Sequence, residues 1–416
     1  MARAVETFIR PGSNPYETHP HFRKKMRELQ KGDAFRILAL ATDKGGCGWY
    51  RVRQLLREID RQGLASTYVI ESNNTEEELE LATDNSHVLL VRRGNEEFLR
   101  VIRDQYPDKH AVVFDHDDNT FIVQPSNEHY VDFGIEDVYA DTKEGQKPLW
   151  LSGITPGFDK FRNRHKMVDL EYGLESADLT TAPTARLAGL WSQYSGSSEV
   201  IPNCIDFQYY PDVEVRDRLK GDELRIGWQG GISHMGDFQE VGPEIAKALK
   251  KHKNTVYYSV GSFYEVFFKG VLDRVRVYPW IDFQAHGYRM KMFDLDIAVI
   301  PLQDLEFNTF KSEIKFSEFA ALRVPCLVKR MTPYKEVVKE GETGLMYETQ
   351  EEFGEQLERL IKDEKLRKKI SDNAYDWVRD ERDLADWAPK VVDIYKEVYD
   401  GVVGRKSMKS DIIKGE

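Results

Sequence analysis

Twice along this chain an apolar strand runs into a glycine-rich turn and then a helix, and each time the alternation continues. "FRILALA" (35–41) leads into "TDKGGCGWY" and the helical "RVRQLLREIDRQG". "STYVI", "SHVLLVRR" and "HAVVFDHDD" repeat the strand signal, with the helical "NEEFLRVIRDQY" among them. At "LRIGWQGG" (224–231) the pattern restarts, with the helix "FQEVGPEIAKALKKH" and the strands "TVYYSVG", "VRVYPW", "DIAVIPL", "PCLVK" and "GLMYE". Such alternation predicts an α/β chain whose parallel sheets are covered on both faces by helices. No residue-level repeat links the halves, so their symmetry is one of pattern only. A chain of 416 residues exceeds one ordinary core, and two domains are expected.

The flanking segments differ in character. Residues 1–33 are polar and charged and read as an arm. "DFQYYPDVEVRDRLKGDE" (206–223) is the best linker candidate, and the chain ends in helical stretches and a solvated tail. The formal net charge of −12 argues against a general nucleic-acid coat, although a local basic patch is compatible with it. The three cysteines, Cys47, Cys204 and Cys326, have neither metal spacing nor a disulfide framework. A reducing, cytoplasmic compartment is therefore expected. No apolar run reaches the ~18 residues of a membrane span, and the N-terminus has no signal-peptide core.

Four stretches carry chemistry. In "FNTFKSEIKFSEFAALRVP" (307–325), Lys311, Lys315 and Glu318 fall at i, i+4 and i+7, which would place them on one helical face. Two lysines a turn apart repel by about 0.2–0.5 kcal/mol, a cost that a bound diphosphate would remove. Ser312 and a helix start would add donors, and Glu318 could accept from ribose hydroxyls. A solvated charged face, with Glu318 pairing a lysine, is the plainer reading. In "GWQGGISHMGDF" (227–238), Gly230 and Gly231 allow close phosphate approach. His234 could donate to a phosphate oxygen or the sugar; alternatively Ser233 or Asp237 merely caps the helix.

In "TDKGGCGWYR" (42–51) both phosphate fingerprints fail: no Gly-Lys-Ser/Thr ends it, and Arg51 stands where a third glycine is needed. "VVFDHDDNTF" (112–121) ends a strand in Asp115, His116, Asp117 and Asp118. Such a cluster fits a divalent metal, turn contacts, or an aspartyl-phosphatase site, though Asn119 breaks that last pattern. The basic run "DKFRNRHKM" (159–167) could meet an acidic acceptor, a lipid surface or nucleic acid, or simply face solvent.

"KSEIKFSEFAALRVPCLV" resembles the signature helix of the retaining nucleotide-sugar glycosyltransferases with the GT-B fold. Glu318 matches the second glutamate of that family's Glu–seven residues–Glu motif, while Phe310 stands in place of the first. "KSEIK…E" fits the "KSxIKxxE" of one branch. "TPYKEVVKEGETGLMY" (332–347), with Gly341, Thr343 and Gly344, and "SADLTTAPTARLAGLW…EVIPNCIDFQYY" are similar to later and earlier parts of the family, in order, over residues 35–390.

The resemblance implies two Rossmann-like domains facing a cleft: 1–205 on the acceptor side and 206–385 on the donor side, with residues 386–416 crossing back as a helix and tail. It implies sugar transfer from a nucleotide-diphosphate sugar, UDP being the commonest, with retention. Gly45, Gly46, Gly230, Gly231, His234, Lys311, Ser312, Lys315 and Glu318 would hold the donor. Tyr50, Arg51, Asp117 and Asp118 would meet the acceptor. Asp115, Asp117, His234 and Lys315 would serve the chemistry, with Asp115 or Asp117 orienting or deprotonating an acceptor hydroxyl. No metal or further cofactor is expected, because the lysines supply the positive charge. The acceptor stays open among a glycan, a lipid-linked sugar, a small molecule, a protein and a modified DNA base. Rival readings are an epimerase or phosphorylase of the same architecture, a metal-dependent phosphatase on Asp115–Asp118, and a non-catalytic nucleotide-sugar binding module.

Overall fold

Short runs of Val, Ile, Leu and Ala with no polar interruption are buried on both faces when they form strands, and this chain uses them so. The computed structural model describes residues 34–41, 45–70, 76–92, 96–211 and 223–414. The expected arm 1–33 and most of the expected linker lie outside the described residues. The strands in chain order are β1 (Arg36–Ala41), β2 (Ser66–Ile70), β3 (Val88–Arg92), β4 (Ala111–Asp115), β5 (Val138–Thr142), β6 (Gly145–Trp150), β7 (Leu179–Ala182) and β8 (Ser198–Val200). They continue as β9 (Leu224–Gly230), β10 (Thr255–Gly261), β11 (Val275–Tyr278), β12 (Ile297–Ile300), β13 (Cys326–Lys329) and β14 (Leu345–Tyr347).

Two parallel sheets of six strands result, in the orders β2-β1-β3-β4-β7-β8 and β11-β10-β9-β12-β13-β14. In each, the strand order reverses beside the strand that opens the half, at β1/β3 and at β9/β12. Ligands of open α/β sheets bind beyond the strand carboxyl ends at such reversals. Register then fixes which residues meet there. Arg92 of β3 and Thr181 of β7 both lie opposite Asp115 of β4, and Gly261 of β10 lies opposite Gly230 of β9.

The chain forms two compact units. The first comprises the described residues up to Asp118, Arg164–Pro202 and the described residues from Leu384 on. The second comprises Asn119–Asn163 and Asn203–Asp383. The chain thus returns to its first unit at Leu384, as the GT-B resemblance implies. The final helix, Leu384–Lys414, buries Val391, Val392, Tyr395 and Val402, and its Ala385 carbonyl accepts from Gln62 Nε2 at 2.8 Å. Residues 119–163, which the resemblance placed in the 1–205 domain, group with the second unit. Their Val123, Tyr130 and Phe158 share a small core with Phe307. The antiparallel hairpin β5/β6 belongs to this excursion. The second unit's main core contains Ile226, Trp228, Val299, Leu327, Leu345 and Phe353. Among the described residues no helix is long and apolar enough to cross a membrane.

Candidate active site

At the reversal point of the second unit, β9 ends in Gly230. A Cβ there would collide with the Trp228 ring and crowd that of His234, so the close packing itself requires glycine. Gly231 then opens a 3-10 turn, Ile232–His234, that passes into the helix Met235–Lys251. Neither start has a side-chain cap, which removes the capping alternative for Ser233 and Asp237. Asp237 instead accepts from the backbone N–H of Gln303 through Oδ1 (2.7 Å), and its Oδ2 lies 2.6 Å from His234 Nδ1. The Tyr264 hydroxyl lies 2.9 and 3.1 Å from the Gly231 and Ile232 carbonyls and steadies the turn from β10's side of the sheet.

The lysine segment departs from its expected form. Residues Glu306–Phe310 make a 3-10 turn, Lys311 is extended, and the α-helix spans only Ile314–Ala320. Lys311 therefore does not share a helical face with Lys315 and Glu318. Its ammonium lies 4.7 Å above the Phe307 ring. Lys315 reaches the other way and places Nζ 2.8 Å from His234 Nε2 and 5.9 Å from the Trp228 ring centroid. Burial pushes Lys315 down to about 8; Lys311 pushes the same way, opposed by Asp237 and Glu318. Burial and the Lys315 charge push His234 down to about 4. The imidazole is thus neutral near pH 7, with Nδ1–H donating to Asp237 and Nε2 accepting from Lys315. His234 was expected to donate to the donor phosphate or sugar; both its nitrogens are already engaged. Ser312 Oγ accepts from Asn203 Nδ2 at 2.8 Å.

One turn beyond Lys315, Glu318 is buried at 6% exposure and accepts from Gln229 Nε2 at 2.6 Å. Its other oxygen has Tyr210 Oη at 3.5 Å and His286 Nε2 at 3.9 Å. Burial drives His286 down to about 4, so it faces Glu318 as a neutral ring. Phe310, in the family's first glutamate position, is buried and offers no acid.

In the first unit the glycine turn after β1 leads through Gly45 and Gly46 into a short π-helix, Trp49–Arg53, a form often found at functional sites. Two expected roles need correction here. Arg51, expected to meet the acceptor, is 3% exposed and donates to Asp115 at 2.6 Å and to the Ile201 carbonyl. Asp115, expected to orient or deprotonate an acceptor hydroxyl, is 2% exposed; it binds Arg51, accepts from Thr181 at 2.7 Å and has Arg92 at 3.9 Å. Both are consumed by a buried charge network. Asp117 pairs with Arg92 at 2.9 Å, and Tyr50 is buried. Asp118 is half-buried, and one ligand atom each from Cys47, Asp117 and Asp118 lies within 4.8 Å of the others. Burial, with Asp117 and Asp118, pushes the Cys47 thiol well up, so it remains protonated.

Comparison with known proteins bears directly on the Lys315–Glu318 helix. Residues 313–377 match the model of the family glycosyl transferases group 1. Sucrose-phosphate synthase from Thermosynechococcus elongatus is similar in structure at a TM-score of 0.56 and 12% identity, over 88% of this chain and 100% of that one. HepE from Anabaena, in complex with UDP and glucose, is similar at 0.56 and 12%, over 87% and 100%. A glycosyltransferase from Rickettsia africae is similar at 0.56 and 10%, over 88% and 99%. The chain has the GT-B fold. No curated protein sequence matches it.

Several residues that build this site had no site role assigned from the sequence. Asp237 sits three residues after His234, a spacing that returns it to the same face at a helix start, so that pairing was readable. Gln229 and Tyr264 lie at or beyond strand ends of the same sheet, which was a weaker signal. Asn203, Tyr210 and His286 meet Ser312 and Glu318 from more than 30 residues away, and nothing in their local sequence announces it.

Proposed function

We propose that this protein is a glycosyltransferase that moves a sugar from a nucleoside-diphosphate sugar of the UDP type to an acceptor hydroxyl, with retention. The observation that carries this reading is the Lys315 ammonium held 2.8 Å from a neutral His234, with Glu318 one turn further, at the strand reversal of the second sheet. A leaving diphosphate gains negative charge as the glycosidic bond breaks, and fixed cations stabilise that charge without reorganisation. Lys315 supplies one such cation, and Lys311, Ser312 and the uncapped backbone after Gly230 and Gly231 supplement it. Glu318, anchored by Gln229, accepts from the ribose hydroxyls. The occurrence of UDP and glucose in the HepE complex supports the donor class; retention and a cytoplasmic location follow from the family resemblance and the free thiols.

On the acceptor side, Asp117 and Asp118, with the Gly45–Gly46 turn, are the groups we assign to the incoming hydroxyl. A glycan, a lipid-linked sugar or a modified nucleic acid fits this reading. No metal is required. A phosphatase built on Asp115 is disfavoured, because its carboxylate is already engaged by Arg51 and Thr181.

The test is donor cleavage. The protein is incubated with UDP-, GDP-, ADP-, dTDP- and CMP-sugars, with and without EDTA, and thermal shift and free nucleotide are measured. The reading expects stabilisation and release of UDP from a UDP-sugar, insensitive to chelator, and loss of release in Lys315→Ala. An isomerised sugar without free UDP would instead identify an epimerase. Binding without turnover against any acceptor pool would identify a binding module.

A further inference from the structure

We propose that Asp237 is a positioning residue whose carboxylate selects the His234 tautomer, so that Nε2 carries a lone pair and seats the Lys315 ammonium. This rests on the reading that Lys315 meets the donor diphosphate. Three hydrogen-bond distances carry it: Gln303 N to Asp237 Oδ1 at 2.7 Å, His234 Nδ1 to Asp237 Oδ2 at 2.6 Å, and Lys315 Nζ to His234 Nε2 at 2.8 Å.

The donor and acceptor count leaves one solution. An ammonium only donates, so Nε2 must accept; a neutral imidazole has one N–H, so it sits on Nδ1; a carboxylate only accepts, so Oδ2 receives it. The Gln303 N–H, just beyond β12, occupies Oδ1 and prevents the carboxylate from turning away. Gly230 leaves room for the ring, which a Cβ there would crowd at 3.0 Å. Lys315 thus comes from one side of the strand reversal and His234 from the other, and the two are joined through one imidazole. The charged and titratable groups around the trio are Lys311, Glu318, Tyr264, Tyr334 and Tyr347. Burial raises all three phenols, which therefore stay neutral and leave the tautomer to Asp237.

Asp237→Asn inverts the chain of hydrogen bonds without changing its shape. The amide oxygen keeps the Gln303 N–H, so the amide NH2 faces Nδ1, the ring proton moves to Nε2, and two donors meet at the Lys315 contact. The experiment is nitrogen-15 NMR of histidine-labelled protein without donor, with the His234 signal assigned by His234→Gln, together with donor kinetics. The expected result is the Nδ1–H tautomer in the parent, the Nε2–H tautomer in Asp237→Asn, and a fall in donor kcat/KM of about a hundredfold or more.

In a His234→Gln background, Asp237→Asn should cost little further, because its effect passes through the ring. A parent Nε2–H tautomer, or an equal loss from Asp237→Asn in both backgrounds, overturns the proposal. The tautomer is read with no substrate present, so its failure is distinct from failure of the donor reading, which Lys315→Ala kinetics decide.

Discussion

The Lys315 Nζ lies 2.8 Å from the His234 Nε2, so a neutral ring, and not an acid, is the close hydrogen-bonding partner seen for this half-buried ammonium. That choice leaves the lysine charge available to an incoming anion, and it also makes the charge titratable. Lys315 is pushed down to about 8, burial being the main cause. Below that pH the group is an ammonium; above it, the free protein loses the cation. The donor kcat/KM should therefore be flat from pH 6.5 to 7.5 and fall about tenfold per unit well above pH 8. A bound diphosphate favours the ammonium, so the falling limb of kcat should lie at higher pH than that of kcat/KM. Lys315→Arg keeps its charge throughout and should lose the limb. Superimposable profiles for the two proteins would remove Lys315 from the charge-bearing role.

Glu318 should decide recognition of the sugar ring of the nucleoside. Its carboxylate is anchored by Gln229 at 2.6 Å, which holds it in place to accept hydroxyl donors. Hydrogen bonds to a charged group contribute about 1.5–3 kcal/mol, so Glu318→Ala should weaken UDP binding by about tenfold to a hundredfold. The sharper measurement compares UDP with 2′-deoxy-UDP by calorimetry. The parent should prefer the ribonucleotide and the variant should not. An unchanged preference would mean that Glu318 serves only to hold Gln229.

The Arg51–Asp115 pair should behave as architecture. Both residues are at most 3% exposed and are joined at 2.6 Å. Removing one partner of a buried pair leaves an uncompensated charge, at a cost of about 3–5 kcal/mol. Arg51→Ala should lower the urea midpoint of the first unit accordingly, while Arg51→Met with Asp115→Leu should recover much of the loss. A change within about 0.5 kcal/mol, as for surface substitutions, would return Arg51 to the acceptor-facing role first expected of it.

What the sequence disclosed and what it hid divide along a physical line. The core strands were legible because each is a short apolar run such as "AVVFD" or "DIAVI", closed by a turn. The β5/β6 hairpin was not, because most of its residues are exposed and no apolar alternation marks it. Lys311 was misplaced because charge spacing was read as helix, whereas Phe307 and Phe310 pack inward and wind the preceding turn as a 3-10 element. The identities of Lys315, Glu318 and His234 were available from the sequence; their connections were not. Asp115 meets Arg51 across 64 positions, and Lys315 meets His234 across 81. Parallel strands bring together residues separated by whole crossovers, so the carboxyl edge of a sheet is assembled from distant segments.

The two glycines after β9 should separate fold from function. At Gly230 an added Cβ would strike Trp228, which is 1% exposed and cannot yield, and His234, which can. Gly230→Ala should therefore shift the His234 ring against Lys315 and lower donor kcat/KM, with some loss of thermal stability. At Gly231 the backbone is ordinary extended chain, with φ −82° and ψ −179°, and an added Cβ meets nothing within 4 Å. The folded protein has no steric need for glycine there, so Gly231→Ala should leave the melting temperature unchanged. Only a ligand pressed against that backbone would detect the methyl group. If the donor diphosphate lies over the start of this turn, Gly231→Ala raises the donor KM while stability holds. If KM holds as well, the diphosphate does not approach the backbone at this point, and its contacts must come from the lysine side alone.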